Sequence, residues 1–234
     1  MSHQSTRKKS AALIFLHGLG DTPDGWSSLQ TLLPSIRQTL SNVTYLFPPA
    51  PTIPISINGG FRMPGWFDIY SWPIAVGDKD DMQGILAAVR QVEKQVEDLH
   101  KSGIPHRRII IGGFSQGGAI ALQTVYNDAI KADKNIQYGA CICLSGWLTR
   151  ADDIREIGLS DAAKDIPLFW GHGSQDDKVL FSQQKFGEDI LRKHGIKTLI
   201  SKQYSVGHSS TEHELKDFAN FLDEILFQDL IEGE

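Results

Sequence analysis

The sequence predicts an α/β fold: a mostly parallel central sheet covered by helices on both faces. Short apolar runs recur between longer helical patterns along the 234 residues, and strands that alternate with helices form parallel sheets. No internal repeat, low-complexity tract or Gly/Ser-rich linker divides the chain. We therefore expect one domain over residues 11–228 without a separate lid domain, between a flexible N-terminal segment (1–10) and an acidic tail (229–234).

The predicted strands are short runs that are bounded by polar or turn-forming residues. They are Ala11–Leu16, Val43–Phe47, Arg108–Ile111, Ala140–Leu144, Ile166–Trp170 and Leu199–Tyr204. The clearest helix runs from Asp81 to Lys101, where apolar residues recur at steps of three and four and Gly103 follows as a stop signal. Residues 48–73 contain six prolines and no clear pattern, but their aliphatic and aromatic content argues against disorder. We predict that this segment is a flap packed over a pocket.

Composition excludes several classes of function. The formal net charge is -5 with the two signs interspersed, so no basic stripe is present and nucleic acid is not an expected partner. No run approaches the roughly 18 apolar residues of a membrane span, and Ala11–Leu16 is too short for a signal-peptide core, so we expect a soluble protein. Cys141 and Cys143 are expected to be buried free thiols in a reducing cytosol, without a disulfide or zinc site.

A glycine-rich stretch, Gly112–Gly118, lies between a predicted strand and a helical pattern. A phosphate-binding loop of the Walker type needs lysine and then Ser or Thr after its last glycine, and Ala119 stands there instead. The dinucleotide-binding pattern also fails, since its nearest approach, Gly18-Leu19-Gly20, has Pro23 at the third glycine position. Two interpretations remain: a plain tight turn with an incidental serine, or a turn that presents Ser115 for reaction.

The pattern favours the reactive serine. Residues 113–117 read G-x-S-x-G between strand and helix, the context in which this motif forms a nucleophile elbow. Such a sharp turn strains the serine backbone, and side chains at the flanking glycines would collide with neighbouring backbone. The amide of Gln116, in the first helical turn, can then donate to a developing oxyanion. The second donor is expected from the loop after the first strand, at Leu19.

A serine nucleophile needs a base that is oriented by an acid, and with this elbow both follow the serine in the order acid, then histidine. His208 follows the last predicted strand and precedes the final helix, so we predict it as the base. The other downstream histidines fit less well: His172 precedes the acid, His194 ends a helix, and His213 lies in a first helical turn. For the acid, spacing alone leaves Asp176 and Asp177 open, and Asp177 can instead cap the next helix.

With "FLHGLGD", "WFD", "GIPHRRIIIGGFSQGGA", "GHGSQDDKV" and "GHSS" in this order, the chain resembles the acyl-protein thioesterase and lysophospholipase group of α/β-hydrolases over roughly residues 11–226. The resemblance implies the α/β-hydrolase fold, with Ser115 as nucleophile, His208 as base and Asp176 as acid. It also implies that the amides of Leu19 and Gln116 form the oxyanion hole, and that no cofactor or metal takes part. One departure is local: the family usually has proline after the catalytic aspartate, where this chain has Asp177-Lys178.

The resemblance further implies hydrolysis of fatty-acyl thioesters on cysteines of lipidated proteins. S-acylated proteins would then be the partners, with transient contact to a membrane surface, in the cytoplasm and with the nucleus as a second location. Alternatives are a carboxylesterase or lysophospholipase, or a non-catalytic acyl-binding module, and a weak homodimer is left open. Apolar residues of the flap are candidates for an acyl channel, with core packing as the alternative: Ile55, Phe61, Met63 and Trp66.

Overall fold

Residues 10–227 are described by a computed structural model, and eight strands lie among them. They are β1 (Ala11–Leu16), β2 (Val43–Leu46), β3 (Thr52–Ile55), β4 (Phe61–Pro64), β5 (Ile109–Phe114), β6 (Ala140–Leu144), β7 (Leu168–Gly173) and β8 (Leu199–Tyr204). Six of them form one sheet in the order β2-β1-β5-β6-β7-β8, and every neighbouring pair in it is parallel. The predicted parallel sheet is confirmed.

Eight α-helices connect or flank these strands within the same residues. They are α1 (Asp24–Ser27), α2 (Leu29–Ile36), α3 (Met82–Lys101), α4 (Gln116–Tyr126), α5 (Ala151–Ile157), α6 (Asp161–Asp165), α7 (Ser182–Lys193) and α8 (Glu212–Phe227). Helix α3 confirms the helix predicted from the apolar spacing. The carboxylate of Asp81 caps it by accepting a hydrogen bond from the Gly84 amide at 3.0 Å, which satisfies one of the free amides of the first turn.

Helices cover both faces of the sheet. In β5, the buried side chains of Ile109 and Ile111 belong to an apolar cluster that includes Val89 of α3. Ile110, between them, belongs to a second cluster that includes Phe218 of α8. Side chains alternate along a strand, so the two clusters lie on opposite faces. The elements of residues 10–227 form this layered arrangement without a separate lid domain, as predicted.

The flap segment is more regular than the sequence predicted. Strands β3 and β4 form an antiparallel hairpin within residues 48–73, with Ile53 opposite Met63. Gly59 and Gly60, both at positive φ, turn the chain between the strands. The prolines argued against strands because proline is rare in central strands, where its missing N–H group would leave a hydrogen bond unmade. In a two-stranded hairpin the outer edge of each strand has no partner strand, so proline is tolerated there. The interpretation that residues 48–73 have no clear pattern was wrong in this respect.

The two segments predicted to flank the domain lie mostly outside the residues that the structure describes. The flexible segment predicted for residues 1–10, apart from residue 10, and the acidic tail at 229–234 lie outside the described residues. Among the helices from residue 10 to residue 227, none is both long and apolar enough to cross a bilayer. Cys141 and Cys143 are buried free thiols, in agreement with the prediction.

Candidate active site

Ser115 occupies the turn between β5 and α4 in a strained backbone conformation. Its φ is 54° and its ψ is -120°, a combination that L-residues rarely adopt. A Cβ added at Gly113 would lie 2.3 Å from the carbonyl carbon of Gly117, and one added at Gly117 would lie 2.2 Å from the oxygen of Leu16. Both glycines are therefore required for this turn. The Ser115 amide donates to the Leu144 oxygen at 2.8 Å, which anchors the turn to β6.

The structure brings Ser115, His208 and Asp176 together at the carboxyl ends of the strands. Oγ of Ser115 donates to Nε2 of His208 at 2.9 Å, and Nδ1 of His208 donates to Oδ2 of Asp176 at 2.7 Å. His208 lies between β8 and α8, and the ring of Phe114 packs against the imidazole with centroids 4.9 Å apart. This is the arrangement in which an imidazole can take the proton of a serine while a carboxylate holds its tautomer.

Asp176, and not Asp177, is the carboxylate that contacts His208. The side chain of Asp176 is buried, and its Oδ1 accepts hydrogen bonds from the amides of Lys178 and Val179, each at 2.9 Å. Burial alone would raise the pKa of Asp176, but hydrogen bonds from His172 and His208 outweigh burial and hold that pKa well below its usual value. Asp176 therefore remains ionised at neutral pH. The carboxylate of Asp177 is exposed and pairs with Lys178.

His172, which the sequence did not favour as the base, contacts the acid, and this contact was not predicted. It is fully buried, its Nε2 donates to the Val179 oxygen at 2.9 Å, and the same nitrogen lies 3.4 Å from Oδ2 of Asp176. His172 thus packs behind the acid and holds both Val179 and Asp176. Its position in β7, four residues before Asp176, is the sequence signal that could have indicated this contact.

The two predicted oxyanion donors lie beside Ser115. Gln116 begins α4, and amides of a first helical turn have no partner within the helix. Its side chain is held elsewhere, since Oε1 accepts from the Trp66 amide at 2.8 Å and Nε2 donates to the Phe67 oxygen at 2.6 Å. Leu19 follows Gly18, at which an added Cβ would lie 3.4 Å from Cβ of Ser115. The loop that carries the Leu19 amide therefore passes alongside the serine.

The four residues predicted for an acyl channel do not line the cavity beside Ser115. Trp66 is 2% exposed, and its indole N–H donates to the His17 oxygen at 2.8 Å, so it supports the loop before Leu19. Ile55 is fully buried, Met63 is partly buried, and Phe61 is 69% exposed at the tip of the hairpin. They lie apart from this cavity because the hairpin folds against the Leu19 loop, where the Gly20 amide donates to the Pro64 oxygen at 2.7 Å, and their role in an acyl channel stays a prediction.

A cavity of 550 Å³ opens beside Ser115 and His208. Its apolar wall includes Leu19, Trp26, Leu29, Phe114 and Leu215, and its polar wall includes Asp21, Lys178, Ser209 and Ser210. A second cavity, of 570 Å³, lies beyond Ile74 against Trp147 and Phe186 and contains none of the triad residues. In the part of the chain that the structure describes, no group of three or more His, Cys, Asp or Glu residues could hold a metal ion.

Glu214 is a buried carboxyl group in the first turn of α8. It is 1% exposed, and an added Cβ at Gly171 would lie 2.2 Å from its Oε1, so the glycine makes room for it. Burial is the largest influence and raises its pKa from 4.5 to about 7. The folded protein therefore binds a proton at Glu214 more tightly than the unfolded chain does.

This raised pKa predicts a pH-dependent stability. The stabilisation by protonated Glu214 is complete below pH 4.5 and is lost as the pH rises through about 7. Between pH 5 and pH 8 the free energy of unfolding should fall by about 2 to 3 kcal/mol more in the native protein than in Glu214→Gln. Urea unfolding across this range measures the difference. Glu212→Gln, an exposed change in the same turn, is the control, and parallel curves for the native protein and Glu214→Gln would contradict the prediction.

Comparisons with known proteins agree with this fold. The profile of the family described as Phospholipase/Carboxylesterase matches residues 3–226. A protein of Candida albicans named acyl-protein thioesterase 1 is 38% identical over 222 residues, covering 92% of each chain. A Debaryomyces hansenii protein of the same name is 37% identical over 227 residues, covering 95% of this chain and 94% of that protein.

Among solved structures, the crystal structure of Arabidopsis thaliana SOBER1 superimposes with a TM-score of 0.83 at 32% identity. The match covers 92% of this chain and 99% of that chain. The parallel sheet, the serine elbow and the full-length sequence matches lead to one conclusion. The chain belongs to the phospholipase/carboxylesterase family of α/β-hydrolases.

Proposed function

We propose that this chain hydrolyses fatty-acyl thioesters on proteins, with Ser115 as nucleophile, His208 as base and Asp176 as acid. The observation that supports this most is the continuous pair of hydrogen bonds, 2.9 Å from Ser115 to His208 and 2.7 Å from His208 to Asp176. The thioester substrate is supported by the Candida albicans and Debaryomyces hansenii relatives, which are named for that activity. The proposal requires one copy of the chain, so the weak homodimer stays a prediction.

In the first half of the reaction, Oγ of Ser115 attacks the acyl carbonyl carbon while Nε2 of His208 takes the hydroxyl proton. Asp176 stabilises the resulting imidazolium, and the amides of Leu19 and Gln116 donate to the oxyanion. The oxyanion then collapses, the carbon–sulfur bond breaks, and His208 returns the proton to the leaving thiolate. Water, activated by His208, hydrolyses the acyl-serine and restores the enzyme.

The apolar wall of the 550 Å³ cavity is the proposed site of the acyl chain. Each buried methylene contributes about 0.8 kcal/mol, or roughly a fourfold change in kcat/KM when it is bound in the transition state. For a series of acyl thioesters from acetyl upward, we expect kcat/KM to rise with chain length until the cavity is filled. A rate that is highest for the acetyl substrate and falls with length would instead favour a short-chain carboxylesterase.

The proposal is tested by labelling and by substrate comparison. A fluorophosphonate probe should label Ser115, and the labelled protein should lose hydrolysis of both palmitoyl thioesters and acetyl esters. A protein that binds acyl chains but does not react with the probe would be the non-catalytic binding module. Activity on lysophospholipids that exceeds activity on S-acyl peptides of equal chain length would favour a lysophospholipase.

Access to acylated proteins calls for transient contact with a membrane surface, and we propose the exposed Phe61 side chain at the hairpin tip as the point of contact. The cytoplasm is the location that we propose for this activity, and a nuclear pool stays a prediction. Binding of the protein to vesicles before and after Phe61→Ser measures the contribution of this side chain.

A further inference from the structure

Lys178 lies on the wall of the Ser115 cavity, in the loop between β7 and α7. Its backbone is held on two sides, because its amide donates to Oδ1 of Asp176 at 2.9 Å and its carbonyl oxygen accepts from the Ile74 amide at 2.7 Å. The root of the side chain is therefore fixed relative to the triad. Any group that Lys178 binds is placed at a defined distance from the reacting carbonyl.

The ammonium of Lys178 is weakly engaged in the protein itself. Its side chain is 54% exposed, and its Nζ lies 3.3 Å from Oδ2 of Asp177, whose side chain is 75% exposed. Exposed pairs of this kind are weak because water and salt screen them and both side chains are mobile. An anionic group on a bound substrate can therefore replace Asp177 as the partner.

Besides Lys178 and His208, Asp21 is the ionisable side chain on the wall of this cavity. Its carboxylate already has partners within the protein. Its Oδ1 accepts a hydrogen bond from the Thr22 amide at 2.7 Å. Its carboxylate also packs closely against Gly25, since a Cβ added at Gly25 would lie 2.4 Å from each carboxylate oxygen. Asp21 follows β1 and Lys178 follows β7, strands that lie on opposite sides of β5 in the sheet. The negative charge on one side therefore leaves the ammonium on the other side available to substrate.

The cavity has an apolar region and a solvent-facing region, which suit the two parts of a thioester substrate. Its apolar side chains suit the acyl chain, whereas Lys178 stands next to the solvent together with Trp72, which is 39% exposed. A group that reaches Lys178 comes from the solvent side of the scissile bond, where the leaving thiol and its flanking residues lie. A peptide carboxylate suits this place, since it is anionic, is short, and is carried beside the thiol.

We propose that Lys178 is a specificity-determining residue that binds an aspartate or glutamate side chain close in sequence to the S-acylated cysteine of the substrate. This inference rests on the proposed thioesterase function and names the class of protein that it favours. It also assigns a role to the place where the chain departs from the family pattern after the catalytic aspartate.

The test uses two S-octanoyl peptides that differ only in whether Asp or Asn flanks the cysteine. The measured quantity is the ratio of kcat/KM for the Asp peptide to kcat/KM for the Asn peptide. We expect a ratio of about three to five in the native protein, about one in Lys178→Met, and below one in Lys178→Glu. High salt should bring the native ratio toward one, since it screens the exposed pair. Lys185→Met, an exposed change on α7, is the control and should keep the native ratio.

Several outcomes would overturn the inference. Equal ratios for the native protein and Lys178→Met would remove the role of Lys178 while leaving the thioesterase function intact. Cleavage of neither peptide, with Ser115 still labelled by the probe, would remove the proposed function and the peptide assignment together. A loss in Lys178→Met that is confined to lysophosphatidate, measured against lysophosphatidylcholine, would assign the ammonium to a lipid phosphate and overturn the peptide carboxylate.

Discussion

Ser115→Ala is expected to reduce thioester hydrolysis by on the order of a million-fold. The change removes the atom that we propose bonds covalently to the acyl group, the same hydroxyl oxygen that lies 2.9 Å from Nε2 of His208. The glycines that permit the turn are unchanged, so the fold should persist. Hydrolysis of a palmitoyl thioester and thermal unfolding are the two measurements, and a variant that kept a tenth of the activity would end the assignment.

Ser145 provides a matched control for this change. It is also a buried serine at positive φ, with φ of 49°, and it follows β6, the strand next to the elbow. Its Oγ is absent from the proposed chain of proton transfer. Ser145→Ala should therefore retain most of the activity, and an equal loss in both variants would indicate that disruption of the fold, and not removal of a nucleophile, is the cause.

Asp176→Asn is expected to reduce kcat by about ten-thousand-fold with little change in KM. The amide can donate to Nδ1 of His208, which favours the wrong tautomer of the imidazole, and it cannot stabilise the imidazolium. The measurement is a saturation curve with an uncharged acyl thioester near pH 7.5.

Asp177→Asn is the comparison that separates the two adjacent carboxylates. Because the side chain of Asp177 is 75% exposed and pairs with Lys178, this variant should hydrolyse the same uncharged substrate within about twofold of the native rate. A large loss in Asp177→Asn together with a small loss in Asp176→Asn would reverse the assignment of the acid.

The fold and the elbow were predictable because their sequence signals are local. The strand before Ser115, the glycines at 113 and 117, and the helix after it all lie within one short stretch, and the backbone permits few conformations there. The carboxyl ends of parallel strands share one edge of the sheet. Acidic and histidine residues after later strands were therefore expected near the serine, and Asp176 and His208 do lie within hydrogen-bond distance of each other.

What spacing could not decide depends on burial and long-range contacts. Asp176 and Asp177 are adjacent in sequence, and the contacts that Asp176 makes with His172 in β7 and with His208 determine which carboxylate is buried. Trp66 looked like part of a substrate wall because it is aromatic and lies in a long segment, but its indole is tied to the His17 oxygen. The cavity wall instead includes Trp26 and Leu29, which lie in helices that the sequence analysis did not examine.

The central claim, that the hydroxyl of Ser115 carries the acyl group during turnover, is tested most directly by mass spectrometry of the quenched reaction. A palmitoyl thioester is mixed with a slight excess of enzyme, the reaction is stopped in acid, and the protein is digested. We expect a palmitoyl adduct on the peptide that contains Ser115, and no such adduct in Ser115→Ala. Turnover with no adduct on any peptide, or with the adduct on a different residue, would contradict it.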